Sequence, residues 1–223
     1  MLRHPEQDDP LCRFLAAHAN VTVVNVDYIP APQSRFPGPV EQAYDVALWA
    51  ASPKRCWDGG RLAIGGQSAG GALAAGAARL ALEHAAPQIG LQVLMYPPLD
   101  LSVPAKRKMA EGKETFLMRM GPLFDTVYCP DVAQRSDRLI SPAGGADTAD
   151  LMGIAPALVI TAQKDILREE AVRYARRLQD IDALLEHVDL PGVGHGFNIL
   201  NARRDVVLTA YGRIVEHTRH TLA

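Results

Sequence analysis

The stretch Arg61-Leu62-Ala63-Ile64-Gly65-Gly66-Gln67-Ser68-Ala69-Gly70-Gly71, running on through Ala72-Leu73-Ala74-Ala75 toward Glu83, decides how this chain folds. Residues 61–65 form a short apolar run and read as a strand. Residues 72–83 are rich in Ala and Leu and read as a helix. A strand that turns sharply into a helix holds the residue at the turn in a strained conformation, with its side chain exposed above the sheet. That residue is Ser68. Its neighbours must be small, because a Cβ there would meet nearby backbone; Gly65, Gly66, Ala69, Gly70 and Gly71 satisfy this. The N–H of Ala69, at the helix start, is aimed where an oxyanion would form. A bare G-x-S-x-G recurs by chance, and a tightly packed turn without chemistry is the competing reading. The strand before and the helix after favour a nucleophile at Ser68.

Outward from this turn, β-branched runs alternate with helical patterns. Strands are predicted over 21–26, 61–65, 91–96, 157–161 and 184–190. Helices are predicted over 40–51, 72–83, 168–179 and 201–220. Pro30, Pro32, Pro37 and Pro39 forbid a regular element between the first strand and first helix, and Pro97-Pro98 stops the third strand. The alternation predicts an α/β fold: a mostly parallel sheet of about five strands, joined by right-handed crossovers, with helices on both faces. Residues 1–223 read as a single domain. Residues 99–140 lack a strand period, and Phe116, Leu117, Met120 and Phe124 sit at helical spacing. This part is expected to be a helical insertion over the site, with Met109, Phe116, Met118, Met120 and Phe124 either shaping a pocket or packing a core. Lys106-Arg107-Lys108 reads as a solvated face. Arg173, Arg176 and Arg177 are expected to pair with carboxylates such as Glu169 and Glu170.

A serine hydroxyl needs a base, and the base needs an orienting acid. On a strand–turn–helix nucleophile both are expected beyond the ends of later strands, acid first. Asp165 follows the strand at 157–161, and His195 lies in Pro191-Gly192-Val193-Gly194-His195-Gly196-Phe197, past the strand at 184–190. An Asp after a strand is commonly a turn residue or helix cap, and a lone His is commonly a surface or core residue. Of the seven histidines, however, five lie in terminal or helical segments (His4, His18, His84, His217, His220) and His187 lies inside a strand. His195 sits in a glycine-rich loop. The chain order Ser68, Asp165, His195 is the expected one.

These residues resemble the hormone-sensitive-lipase-like branch of the α/β-hydrolases, the bacterial esterase group. Asp27-Tyr28-Ile29-Pro30-Ala31-Pro32, then Phe36-Pro37 and Val40-Glu41-Gln42-Ala43-Tyr44, resembles the family's DYRLAPE…FPAAVEDAY segment. Gly66-Gln67-Ser68-Ala69-Gly70-Gly71 is similar to its GDSAGG turn, and Tyr96-Pro97 and Ser141-Pro142 match two further sites. Pro156–Ala162 with Asp165 and Leu167 resembles PPALVITAGFDPLRDEG, and Gly194-His195-Gly196-Phe197 resembles GHGF. The resemblance implies Ser68 as nucleophile, His195 as general base then acid, and Asp165 as orienting acid. It implies hydrolysis of carboxylic esters of short to medium acyl chains through an acyl-enzyme, with no cofactor and no metal.

The chain also departs from the pattern. Gln67 replaces an Asp and Ile166 a Pro. The family's HGGG motif, which supplies further oxyanion donors just upstream of a segment resembling residues 8–16, is absent from the sequence. The resemblance implies that the last five strands are kept and the first three are missing. One of those three would stand between the strands at 21–26 and 61–65. Each buried unpaired N–H or C=O costs about 1–3 kcal/mol, so the two facing edges need an answer. They could pair directly, a partner chain or homodimer could cover them, or Met1 is internal to a longer protein. The abrupt start of the resemblance favours the last. Losing one oxyanion donor costs about 10²–10³ in rate, so the 223-residue chain is expected to be a weak or inactive esterase.

Composition narrows the remaining classes. The 223 residues are 48% hydrophobic and 22% charged, the balance of a globular protein. A net charge of -2 offers no basic excess for nucleic acid. No apolar run reaches the ~20 residues that span a bilayer, and residues 1–10 (MLRHPEQDDP) lack the apolar core of a signal peptide. Three widely spaced cysteines suggest reduced thiols. A cytoplasmic protein acting on a small-molecule ester, without stable membrane insertion, is the expectation. The competing function classes are a non-catalytic ligand-binding protein of the same fold, which the intact Ser68–Asp165–His195 set disfavours, and an amide hydrolase.

Overall fold

A computed structural model describes residues 5–108, 116–200 and 203–223, with backbone alone for 116–118. Its centre is a parallel sheet of four strands in the order β1 (Ala63–Gln67), β2 (Leu91–Met95), β3 (Ala157–Ala162) and β4 (Leu184–Leu190). Among the described residues six α-helices accompany it: α1 (Asp9–Ala19), α2 (Gly38–Ala50), α3 (Ala69–His84), α4 (Phe116–Tyr128), α5 (Arg168–Gln179) and α6 (Arg204–Leu222).

Every residue of β2 and β3 is buried, and both strands read as apolar runs broken only by Gln92 and Thr161. Their side chains alternate between two layers. Leu94 and Val159 point to one face, where Ala74, Ala78, Tyr174 and Leu178 of α3 and α5 cover them. Val93, Met95, Leu158 and Ile160 point to the other, beneath Ala210, Tyr211 and Ile214 of α6, with α1 alongside. Each fully buried Leu or Ile contributes about 1.5–3 kcal/mol. The small residues of α3 allow close packing: a Cβ on Gly76 would stand 2.8 Å from Leu139 O and from a Val40 methyl.

Residues 21–26, expected as a strand, form none. Their exposure alternates between partial and open over 21–24, but a strand is defined by a ladder, and among the described residues no neighbour pairs with them. A cavity of about 1510 Å³ lies between them and β1, lined by Val21, Val23 and Val26 on one side and Ala63, Ile64 and Gly65 on the other. Among the described residues the sheet therefore has four strands, and direct pairing of the two facing segments does not occur.

The described residues of 99–140 carry α4 and two short 3-10 turns, Ala105–Arg107 and Val132–Ser136. Met109 and the side chains of Phe116, Leu117 and Met118 lie outside the described residues. Lys108 is not solvated as expected: its Nζ stands 2.6 Å from Glu170 Oε2, and both side chains are buried. The α5 arginines find other partners than those expected. Arg173 pairs with Asp100 and Arg177 with Asp147, while Glu169 pairs with Arg168. Among the described residues, no helix is long and apolar enough to cross a membrane.

Candidate active site

β1 ends at Gln67, and Ser68 adopts φ 51° and ψ −122° before α3 begins at Ala69. Few non-glycine residues adopt such a backbone, and it stores strain. Ser68 N donates to Met95 O at 2.9 Å, which pins the turn to β2. Gly71 N and Ala72 N donate to Ser68 O at 2.9 and 3.2 Å, which closes the first turn of α3. The tightness requires Gly66, since a Cβ there would stand 2.3 Å from Gly70 C. Gly70 itself faces open space, so smallness is not required at that position for packing.

Asp165 follows β3 and is buried; its Oδ1 accepts from Leu167 N at 3.0 Å. His195 lies in the turn after β4, where Gly192 and Gly196 adopt φ 74° and 70°. Lys164 N donates to Val193 O at 2.9 Å, so the loops bearing Asp165 and His195 are joined. The structure brings the three residues together. Ser68 Oγ is 2.8 Å from His195 Nε2, and His195 Nδ1 is 2.6 Å from Asp165 Oδ2. An ionised carboxyl only accepts, so the Nδ1 proton faces Asp165 and the Nε2 lone pair faces the serine hydroxyl. Ala69 opens α3, and its N–H has no partner within the helix.

His187 stands apart from this set. Its Nε2 is 2.8 Å from Thr161 Oγ1, and burial holds its pKa below the usual value.

Ser68 and Ala69 line the large cavity, together with Met95, Ile166, Leu167, Met120 and Phe124. This apolar wall suits a hydrocarbon group. Beneath the serine lies a polar cluster that the sequence did not announce. Gln67 Oε1 accepts from Asn198 Nδ2 at 2.7 Å, and the Tyr96 hydroxyl, with one proton to donate, lies 2.8 Å from Gln67 Oε1 and 2.5 Å from Asn198 Oδ1. Gln67 Nε2 donates to Asp8 Oδ1. Burial raises the Asp8 carboxyl above its ordinary range and also raises the Tyr96 hydroxyl. The only signals in the sequence were Gln67 in place of an Asp and Tyr96 after β2. Asn198 carried none. Among the described residues, no group of three or more His, Cys, Asp or Glu is placed to hold a metal ion.

A family profile described as alpha/beta hydrolase fold matches residues 1–199. The chain is 35% identical over 201 residues to an ethyl acetate hydrolase of Pseudomonas putida, covering 86% of this chain and 61% of that protein. It is 35% identical over 199 residues to the carboxylic ester hydrolase LipN of Mycobacterium tuberculosis, covering 85% of this chain and 52% of LipN. The chain thus spans little more than half the length of these relatives. The crystal structure of a thermostable esterase from Pseudomonas putida superposes with a TM-score of 0.86 at 31% identity, covering 98% of this chain and 70% of that one. By the extent of these matches and by its motifs, the chain belongs to the alpha/beta hydrolase fold family, in the hormone-sensitive-lipase-like group of esterases.

Proposed function

We propose that this protein hydrolyses carboxylic esters, with Ser68 as nucleophile, His195 as base and then acid, and Asp165 as the orienting acid. The observation that carries the reading is the continuous chain of short contacts, 2.8 Å from Ser68 to His195 and 2.6 Å from His195 to Asp165. The names of the relatives support it, since two of them are called an ethyl acetate hydrolase and a carboxylic ester hydrolase.

The geometry supports the following steps. Ser68 Oγ attacks the ester carbonyl carbon as its proton passes to His195 Nε2. Asp165 holds the ring in the tautomer that can accept that proton and stabilises the imidazolium that forms. The carbonyl oxygen becomes an oxyanion facing the Ala69 N–H and the positive end of α3. Collapse breaks the bond to the alkoxy oxygen, which leaves as the alcohol with the proton from His195. Water, deprotonated by His195, then attacks the acyl-serine, and the acid leaves as Ser68 regains its proton. Each step uses these residues and water.

Within these 223 residues the sequence offers one evident oxyanion donor, Ala69. A missing donor costs about 10²–10³ in rate. Turnover by this chain is therefore slow, and activated short-chain esters with good leaving groups are its best substrates. The test is labelling of the folded chain with a fluorophosphonate, alongside hydrolysis of p-nitrophenyl acetate and butyrate. The unaltered chain should label at Ser68 and hydrolyse both esters slowly. Ser68→Ala should lose labelling and fall to the background rate. A folded chain that neither labels nor hydrolyses would overturn the reading.

A further inference from the structure

We propose that Gln67 and Asn198 are a pair of positioning residues, bridged by Tyr96, that hold the His195 loop over Ser68. The proposal rests on the ester-hydrolase reading above.

Ser68 and His195 come from strands at opposite edges of the sheet, β1 and β4, and lie 127 residues apart in sequence. Strands are spaced about 4.8 Å apart, so the loop after β4 must reach roughly 14 Å across the strand ends to meet Ser68. Two groups of contacts bring it there. Asp165 and its neighbour Lys164 hold the loop from β3. The polar cluster then holds it from β1 and β2.

Gln67 immediately precedes Ser68, and Asn198 follows His195 by three residues. Asn198 Nδ2 donates to Gln67 Oε1 at 2.7 Å. The hydroxyl of Tyr96 lies 2.8 Å from Gln67 Oε1 and 2.5 Å from Asn198 Oδ1, which closes a triangle at the end of β2. The Tyr96 and His195 rings pack in an edge arrangement, inclined by 65° with centroids 4.8 Å apart. Gln67 and Tyr96 are buried, where a hydrogen bond is less weakened by water. The cluster is anchored at both ends: Gln67 Nε2 donates to Asp8, and Asn198 Nδ2 reaches the Tyr211 hydroxyl at 3.2 Å.

The chemistry of residue 67 fits this role. Its side chain must accept from Asn198 on one atom and donate to the carboxyl of Asp8 on the other. A carboxamide does both in one charge state. An ionised carboxylate could not donate, and it would oppose Asp8. Misplacement of a base by about 1 Å costs on the order of 10² in rate, so tying the residue before the nucleophile to the base loop acts on the rate rather than on substrate affinity.

The test is a double-mutant cycle on Gln67→Ala and Asn198→Ala, read by fluorophosphonate labelling rate and by kcat and KM for p-nitrophenyl butyrate, with melting temperature measured in parallel. Each single variant should lower kcat about 10- to 100-fold and leave KM within about twofold. The double variant should lie within about threefold of the worse single, because both break the same link. The proposal is overturned if the singles keep kcat within twofold, if the double's loss equals the product of the singles, or if the losses match the fraction unfolded. Should a truncation fail to fold, Tyr96→Phe keeps the ring on His195 and removes the hydroxyl alone. It should lower kcat at constant KM, and an unchanged kcat would overturn the proposal. An unaltered chain that does not label would instead overturn the hydrolase reading, and this proposal with it.

Discussion

At Gly66 there is no space for a side chain, and the next glycine, Gly70, behaves differently. A Cβ on Gly66 would stand 2.3, 2.5 and 2.8 Å from Gly70 C, Gly70 O and Gly71 N, all backbone atoms that cannot turn aside. A Cβ on Gly70 would meet nothing within 4 Å, and Gly70 lies in the first turn of α3. Gly66→Ala should therefore destabilise by about 1–3 kcal/mol or more. Gly70→Ala should be neutral or stabilising by up to about 1 kcal/mol, because Ala is the better helix former. Urea denaturation of the two variants checks this, and equal losses would contradict the packing described. The same strained turn sets Ser68 at φ 51°, a backbone conformation that the packing around β1 and α3 must hold in place.

At the scale of elements, Glu170 holds α5 to the segment after β2 by backbone hydrogen bonds and to Lys108 by a buried ion pair. Glu170 of α5 accepts from Leu99 N at 2.8 Å and Asp100 N at 3.3 Å, and it meets Lys108 Nζ at 2.6 Å. Burial raises this carboxyl from 4.5 to about 7, against the opposing pull of Lys108. The folded-state value lies above the unfolded one. The folded chain therefore favours the protonated acid, and this contribution is fully present below pH 4.5 and is lost as pH rises through about 7. Without the cation, the ionised carboxylate would stand buried and uncompensated. Lys108→Met should cost about 3–5 kcal/mol at pH 8 and clearly less at pH 5.5, where Glu170 takes up a proton. Denaturation at the two pH values decides it, and an equal loss at both would show that the pair does not carry this charge.

At the scale of the whole molecule, the sheet has two edges, β1 and β4, and only β1 borders the large cavity. Ser68 N donates to Met95 O, and Leu62 O accepts from Gly90 N. In a parallel pair, residues of like parity face the same neighbour. Ile64 and Gly66 therefore bond toward β2, while the N–H groups of Ala63, Gly65 and Gln67 point toward the cavity. Hydrogen exchange should be at least about 10²-fold faster at Ala63, Gly65 and Gln67 than at Ile64 and Gly66, since amides without a ladder partner open at little cost. Equal protection would mean that something in solution covers this edge. The cavity also explains why residues 21–26 form no strand. They have the β-branched composition of one, but β-propensity expresses packing against neighbours rather than a backbone preference.

The sequence by itself determined the α/β class, the order of elements from β1 onward and the three side chains that meet at the site. These are local signals: apolar runs bounded by Pro and Gly, an Ala-rich helix behind a glycine turn, and a His in a loop of three nearby glycines. Only the tertiary structure decided which charges are buried, because Lys108 reads as solvated until α5 is packed against it. It likewise decided the partners of Arg173 and Arg177, which lie on the loops that run beside α5. The Gln67–Tyr96–Asn198 cluster was illegible for the same reason. Its members come from the ends of β1 and β2 and from the loop after β4, with Asn198 placed 131 residues from Gln67, and no periodicity within one segment records a contact between three.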